Sequence, residues 1–477
     1  MTLPASAPSA QGVDAAGVLA FLDAVRDGGI AAHSLAVARH GRVVARGWWP
    51  PYAPDRVQLV YSLSKSLTAT AIGFLVQEGR LELADPILRR VPHSGRGFHE
   101  RWRQVTVRHC LSMTVGHDQD AWGAVMGRAA AAAGAGGDDW VEVALRIPPD
   151  HEPGTAFTYN QVATYLLSTA VTHLTGQRVV DFLRPRLFDP LGMGPVFWHT
   201  DPLGRDLGFS GAHVTTDALL AFAQFCLDRG SWQGRSLLDP SWFAAATATG
   251  GPPNRDPTVG PDWQQGYGFG FWGARHGYRG DGAYGQFVIV LPDQDAVVVL
   301  TSEHTDMQQI LDAVWEHLLP ALGRGGSPRA DSALRDRLAS LGSPAHRGSA
   351  LGPELATFGR RGTEGLPAAY TAVSVHRQGS DHLLGLERAG EWLEVRVGDG
   401  QWLDSTISAD GLLLPVVASG GWVQEDVFAA EVLVVETPHR FRVEARLRSG
   451  DADLVWCEAP LMARDPLWLA VRRAAGS

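Results

Sequence analysis

The chain has 477 residues and a formal net charge of −10, and 45% of its residues are hydrophobic. This length allows two or three domains around a large core, and the acidic balance argues against a nucleic-acid surface. The sequence has no run of about 18 apolar residues and no basic and then apolar N-terminal segment, so it predicts neither a membrane span nor an export signal. We therefore expect a cytoplasmic protein with no membrane partner, and composition leaves a homo-oligomer open.

The three cysteines are far apart in the chain, so neither a disulfide framework nor a structural zinc site is expected. The histidines form no His-Glu-x-x-His motif. His117-Asp118 together with Asp120 is the nearest approach to a cluster of metal ligands. The sequence therefore predicts no metal and no cofactor.

The N-terminal part of the sequence predicts a helix, a β-hairpin and a second helix, in that order. Residues 1–12 are small and polar, and we expect them to be disordered. An amphipathic helix over 14–26 follows, and then two apolar runs around His40-Gly41 that are typical of a β-hairpin. The next apolar run begins near Ser62 and ends at Gly79, a pattern that predicts a helix with a C-terminal glycine stop.

Lys65 is the only lysine in the chain, because every other member of the 41 Lys and Arg residues is arginine. Arginine effectively never loses its proton in a protein, whereas a buried lysine can become a neutral base. Ser62 lies three residues earlier, so a helix beginning near Ser62 brings the two side chains to one face. The pair predicts a nucleophile with its activator. The alternative is a capping serine with a surface charge, and the apolar flanking sequence argues against it.

The sequence Tyr-Ser-Leu-Ser-Lys-Ser-Leu-Thr at residues 61–68 resembles the Ser-x-x-Lys motif of serine β-lactamases and penicillin-binding proteins, particularly the class C β-lactamase and esterase branch. The resemblance runs from about residue 15 to about residue 322, and residues 106–117 are similar to the family's helix that leads into the pocket wall. It implies that an amide or ester acylates Ser62 and that Lys65 helps to move the proton.

Residues 153–161 resemble a second element of the family, Pro-Gly-Thr-x-Phe-x-Tyr-Ser-Asn. Tyr159 falls on the tyrosine of the family's Tyr-x-Asn motif, which implies that its phenol shares proton transfer with Lys65. That role needs a phenol pKa below the usual value of about 10, and a neighbouring ammonium group would lower it. Gln161 stands at the third position of the motif and Asn160 one position earlier, and either amide can line the pocket.

The third motif of the family, Lys/His-Thr/Ser-Gly, aligns with Gly280, Asp281 and Gly282, so its cation is missing. In the family this position helps to bind a substrate carboxylate, and Asp281 would repel such an anion. We therefore expect a neutral or cationic substrate, unless Arg275, His276 or Arg279 restores positive charge there.

The backbone of this motif can still take part in catalysis without the missing cation. The N–H groups of Ala283 and Ser62 can form an oxyanion hole, which needs no particular side chain. The preceding glycine-aromatic alternation, residues 266–272, is typical of an inner strand. We include Trp272, at its end, and His117 among the substrate-binding residues.

The predicted fold class is α+β. Residues 13–322 form a β-lactamase/transpeptidase-like domain, in which helices and a helical subdomain flank an antiparallel sheet. Residues 323–353 are a linker with a short helix, and residues 354–477 form a small antiparallel β-barrel or sandwich with predicted strands that include 421–427.

The leading hypothesis for function is a serine hydrolase that cleaves small esters, amides or short peptides through an acyl-enzyme. A β-lactamase, D-amino-acid peptidase or transpeptidase is the second, and the absent export signal and altered third motif argue against it. A catalytically silent binding protein is the third. The retained Ser62, Lys65 and Tyr159 argue against that alternative.

Overall fold

The computed structural model describes residues 3–132, 139–362 and 365–473. The helices are α1 (Ala15–Asp27), α2 (Ser64–Gln77), α3 (Val107–Leu111), α4 (Trp122–Ala132), α5 (Trp140–Leu145), α6 (Gln161–Thr175), α7 (Val179–Leu183), α8 (Asp189–Leu191), α9 (Thr216–Leu227), α10 (Pro240–Ala246), α11 (Met307–Ala313), α12 (Leu319–Ala321) and α13 (Pro328–Ala339). No described helix combines the length and apolar character that crossing a bilayer requires.

The strands of the first half are β1 (Ala31–Arg39), β2 (Arg42–Trp48), β3 (Gln58–Leu59), β4 (Phe197–Trp198), β5 (Ala212–Val214), β6 (Ser231–Trp232), β7 (Arg235–Ser236), β8 (Trp272–Gly273), β9 (Tyr278–Gly282), β10 (Gln286–Leu291) and β11 (Ala296–Glu303). The C-terminal strands are β12 (Leu355–Arg360), β13 (Tyr370–Gln378), β14 (Asp381–Arg388), β15 (Glu391–Gly398), β16 (Leu403–Ala409), β17 (Leu412–Gln424), β18 (Val427–Val434), β19 (His439–Arg446), β20 (Asp451–Trp456) and β21 (Arg472–Arg473).

The chain forms two compact units. The first comprises Met1–Gly47, Val60–Ser302 and Asp306–Ala339, and the second comprises Trp48–Leu59, Glu303–Thr305 and Ser340–Ser477.

The first unit is built on a six-stranded sheet with the order β2-β1-β11-β10-β9-β8. Every residue of β10 and β11 is buried, because helices cover the sheet and leave no solvated face to these central strands. Strand β9 pairs antiparallel with β10, and Asp281 lies opposite Phe287. Helix α2 is buried along most of its length and contacts α6, so its N-terminal end is held between the sheet and the helical side of the unit.

The second unit contains a closed eight-stranded barrel of β12 to β15 and β17 to β20. Neighbouring strands pair antiparallel except at two junctions, where β12 pairs parallel with β20 and β15 with β17. Buried residues alternate with exposed ones along β15, as expected for strands with one face turned to a core. The predicted fold class is confirmed, and of the two predicted C-terminal architectures the barrel is present.

Three local predictions differ from the structure. Residues 266–271, predicted as part of an inner strand, are not a strand, because Gly268 N donates a hydrogen bond to Phe271 O in a tight turn. Gly270 in this turn has a φ of +76°, and a Cβ there would lie 2.7 Å from Lys65 O. The predicted strand 421–427 is the end of β17, a turn, and the start of β18. Residues 3–12 are ordered along the first unit, where Ser6 N donates to Val43 O at 2.9 Å.

Candidate active site

Ser62 and Lys65 meet at the N-terminal end of α2. Ser62 lies in a 3-10 turn, Tyr61–Leu63, and α2 begins at Ser64, two residues after the predicted start. The three-residue spacing still places both side chains together, with Lys65 Nζ 3.0 Å from Ser62 Oγ. Ser62 is partly exposed and Lys65 is 1% exposed, so the hydroxyl is accessible while the amine is covered.

Three oxygen atoms surround the Lys65 amine. Besides Ser62 Oγ, Nζ lies 2.6 Å from Gln161 Oε1 and 3.0 Å from the carbonyl oxygen of Phe209. Burial lowers the pKa of Lys65 to about 7, against the charges of Asp120 and Asp281, which raise it. A neutral amine has two hydrogens and one lone pair. Because the amide and carbonyl oxygens can only accept, they take the two hydrogens and leave the lone pair for the Ser62 hydroxyl.

Tyr159 lies beside this pair. Lys65 Nζ is 4.6 Å from the centre of its ring, and Ser62 is near enough to act on the pKa of its phenol. The expected lowering of its pKa is reversed, because burial and the charge of Asp281 raise the pKa of the phenol. The reason is that burial itself favours a neutral Lys65, so no full ammonium charge is available to stabilise a phenolate. Tyr159 therefore remains a phenol.

Aromatic side chains extend from Tyr159. Trp272 stacks on its ring with the ring centres 5.3 Å apart, and Tyr267 meets it edge-on at 5.8 Å. Trp272, predicted to bind substrate, is therefore a buried residue that packs against Tyr159.

The two amides after Tyr159 have different surroundings. Gln161 is partly exposed and contacts Lys65, so it lines the site. Asn160 is 1% exposed, caps α6 by accepting from Val162 N, and places its Nδ2 2.7 Å from His117 Nδ1. His117 is itself buried, behind Asn160. Of these three residues, only Gln161 contacts Lys65.

The third motif contacts the nucleophile through its backbone. A Cβ on Gly282 would lie 2.0 Å from Val60 O and 3.2 Å from Ser62 N, so only glycine allows β9 to come this close to the turn. A Cβ on Gly280 would lie 2.6 Å from Ser66 Oγ. Ala283 follows Gly282 directly in the chain, at the end of this close approach.

Asp281 does not present a free negative charge. It is 6% exposed, and its Oδ2 accepts a hydrogen bond from Arg279 Nε at 2.9 Å. Arg279 is fully buried and also donates to the carbonyl oxygens of Asp262 and Gly273. Burial raises the pKa of Asp281 and lowers that of Arg279, while their mutual attraction opposes both shifts. The predicted repulsion of anions by Asp281 is therefore compensated by its neighbour on the same strand.

An exposed carboxylate that the sequence analysis did not assign to the pocket lies close by. Asp120 Oδ1 accepts from Gln161 N at 2.9 Å and from Trp122 N at 3.1 Å. It does not combine with its neighbours into a metal cluster, since His117 faces Asn160 and Asp118 contacts His151. Across the described ranges, no group of three His, Cys, Asp or Glu residues is arranged to hold a metal ion.

The sequence and the fold of this chain are similar to those of known proteins. The beta-lactamase family profile matches residues 18–320. The 6-aminohexanoate-dimer hydrolase of Paenarthrobacter ureafaciens is 25% identical over 287 residues, which cover 57% of this chain and 72% of that protein. Esterase EstB of Burkholderia gladioli is 29% identical over 238 residues, 44% of this chain and 57% of that esterase.

A solved Bacillus anthracis structure with the provisional name 6-aminohexanoate-dimer hydrolase has 18% sequence identity and a TM-score of 0.53, over 63% of this chain and 81% of its own. At this identity the likeness shows a shared fold. The family includes serine hydrolases, as the names of the esterase and the dimer hydrolase indicate. With its profile matched over most of the first unit, the chain belongs to the beta-lactamase family.

Proposed function

We propose that this protein is a serine hydrolase that cleaves small esters, amides or short peptides through an acyl-enzyme on Ser62. The observation that carries the proposal is the environment of Lys65: a buried amine with a pKa of about 7, bonded to two oxygen acceptors and to the Ser62 hydroxyl. Such an amine is a base near neutral pH.

In the proposed acylation, Ser62 Oγ attacks the substrate carbonyl carbon and its proton passes to Lys65 Nζ. The negative charge that develops on the carbonyl oxygen is held by the backbone N–H groups of Ser62 and Ala283. Removing one such donor costs about 3–4 kcal/mol of transition-state stabilisation. The tetrahedral intermediate then collapses, and the bond from the carbonyl carbon to the leaving group breaks.

Tyr159 acts in this scheme as a neutral phenol. Its pKa is raised, so it donates a hydrogen bond or relays a proton rather than serving as a phenolate base. The proton on Lys65 reaches the leaving group through the phenol, and Lys65 returns to its neutral form. Water then attacks the acyl-enzyme with Lys65 again as base, which releases the acid and restores Ser62.

The chemistry of the site and the names of the relatives support this substrate class. The partly exposed Tyr159 ring, backed by Trp272, suits an apolar part of a small acyl substrate. Relatives named as an esterase and as a 6-aminohexanoate-dimer hydrolase favour such compounds.

A fluorophosphonate tests the nucleophile, because serine displaces fluoride from it and keeps the phosphonyl group. We expect one adduct by intact mass in the wild type and none in Ser62→Ala. Ser64→Ala is the matched control, since Ser64 is a buried serine two residues away that accepts from Ala212 N, and its adduct should persist. A wild-type protein that forms no adduct, or an adduct that survives Ser62→Ala, would refute the proposal.

A further inference from the structure

Asp120 is a carboxylate at this site that the proposed acyl transfer does not use. Its side chain is exposed, and its Oδ1 accepts from the backbone of Gln161 and Trp122. Gln161 in turn accepts from Lys65, so a single residue separates Asp120 from the proposed base. Its charge reaches the catalytic groups, because it raises the pKa of both Lys65 and Tyr159.

Asp120 also differs from the other carboxylates around the site. Asp281 is paired with Arg279, and Asp118 is paired with His151. Among the residues that the structure describes, no Arg, Lys or His nitrogen lies within 4.0 Å of Asp120, and its Oδ2 accepts no hydrogen bond. Since Lys65 is largely neutral above pH 7, the uncompensated charge beside the nucleophile is negative.

The ring of Tyr159 adds a second feature that favours positive charge. The Tyr159 ring has the Lys65 amine 4.6 Å from its centre, and Trp272 stacks on the same ring with the ring centres 5.3 Å apart. The face of an aromatic ring attracts a cation, and quaternary ammonium groups bind such faces well. The unpaired carboxylate of Asp120 and an aromatic ring that already contacts an amine together favour an ammonium group over an anion.

We propose that Asp120 binds an ammonium group of the substrate, so that the enzyme prefers esters or amides that carry a positive charge. The inference rests on the proposed hydrolase function. An exposed carboxylate keeps most of its hydration, so it attracts a cation at little desolvation cost, and the same charge repels substrates with a carboxylate near the scissile bond.

Two pairs of esters test the proposal, each pair differing only by a charge. Acetylthiocholine and 3,3-dimethylbutyl thioacetate place a trimethylammonium group or its carbon isostere in the leaving group. The p-nitrophenyl esters of 6-(trimethylammonio)hexanoate and 7,7-dimethyloctanoate place them in the acyl part. The measured quantity is the ratio of kcat/KM for the cationic ester to kcat/KM for its neutral isostere.

Asp120→Asn removes the charge and keeps an oxygen that can accept from Gln161 N and Trp122 N. We expect the ratio to fall by about 5- to 10-fold in at least one pair, and any effect of the lost charge on Lys65 itself cancels in the ratio. Asp120→Ser, whose hydroxyl oxygen can also accept a backbone hydrogen bond, should behave alike and guards against a folding defect in the first variant. Asp118→Asn is the matched control in the same loop and should leave both ratios within about twofold of the wild type.

Ratios that stay within about twofold of the wild type in both pairs and both Asp120 variants would overturn this inference alone, provided that the neutral esters are hydrolysed in a Ser62-dependent reaction. Absence of any Ser62-dependent hydrolysis would instead overturn the proposed function and this inference with it. Raising the ionic strength should reduce the wild-type ratio, because salt screens an exposed charge.

Discussion

Two buried basic side chains belong to the motifs of the site, and they differ in their partners. Lys65, at the start of α2, contacts a hydroxyl, an amide oxygen and a carbonyl oxygen, all of them uncharged. Arg279, on β9, contacts two carbonyl oxygens and the carboxylate of Asp281. Burial lowers the pKa of both.

The comparison teaches that burial alone does not decide whether a cation becomes a base. Lys65 starts from a lower pKa than arginine and has no carboxylate in contact, so burial brings its pKa to about 7. Arg279 keeps its charge because guanidinium is a very weak acid and Asp281 stabilises it directly. One cation is available for proton transfer and the other holds the strand in place.

The largest expected effect comes from replacing the proposed base, Lys65, by an arginine like Arg279. Lys65→Arg keeps a cation but removes the proton acceptor, so kcat/KM for a p-nitrophenyl ester should fall by about 10²- to 10⁴-fold. The measurement is steady-state hydrolysis with circular dichroism as a control for folding. Turnover near the wild-type level in a folded Lys65→Arg protein would show that Lys65 is not the base.

The second prediction concerns the buried ion pair of Arg279 and Asp281. Arg279→Met leaves Asp281 buried without its counter-charge, which typically destabilises a protein by about 3–5 kcal/mol. Thermal unfolding should show a lower Tm, and the double variant Arg279→Met/Asp281→Asn should recover part of the loss. A single variant as stable as the wild type would mean that Asp281 takes up a proton at little cost.

The smallest expected effect is the pH dependence of kcat/KM, because Lys65 titrates near neutral pH and Arg279 does not. The folded-state pKa of Lys65 is lowered to about 7, so the neutral base forms as pH rises through 7 and kcat/KM for an uncharged ester should rise to a plateau above it. About one pH unit below that value, activity should be about tenfold lower. The raised pKa of Tyr159 predicts no loss of activity from that phenol on the alkaline side. A flat profile between pH 6 and 8 would contradict the assignment of Lys65.

The sequence was most informative where contacts are local. The three-residue spacing of Ser62 and Lys65 fixes their proximity on any helical turn, and the single lysine in an arginine-rich chain marks it for a role that arginine cannot fill. The alternation of strands and turns after residue 354 likewise indicated an antiparallel β structure, because the two-residue period is a property of the strand itself.

The effects of burial and of side-chain pairing on charge were predicted less well. Asp281 was expected to repel anions, but its charge is balanced by Arg279, two residues away on the same strand. The pKa of Tyr159 was expected to fall, but it rises, because burial favours the neutral form of both Tyr159 and Lys65. The Phe209 carbonyl contacts Lys65 from 144 residues away in the chain, and a backbone acceptor leaves no signal in the residue types.

The sequence by itself determined the family, the fold class and the pairing of a serine with a lysine, because these depend on motifs and periodicities within short stretches. The tertiary structure decided which of Asn160 and Gln161 reaches that lysine, which carboxylate of the site remains unpaired, and which glycines allow β9 to approach the nucleophile. These outcomes depend on burial and on distances between segments that are far apart in the chain, and desolvation and Coulomb attraction act through those distances rather than through sequence order.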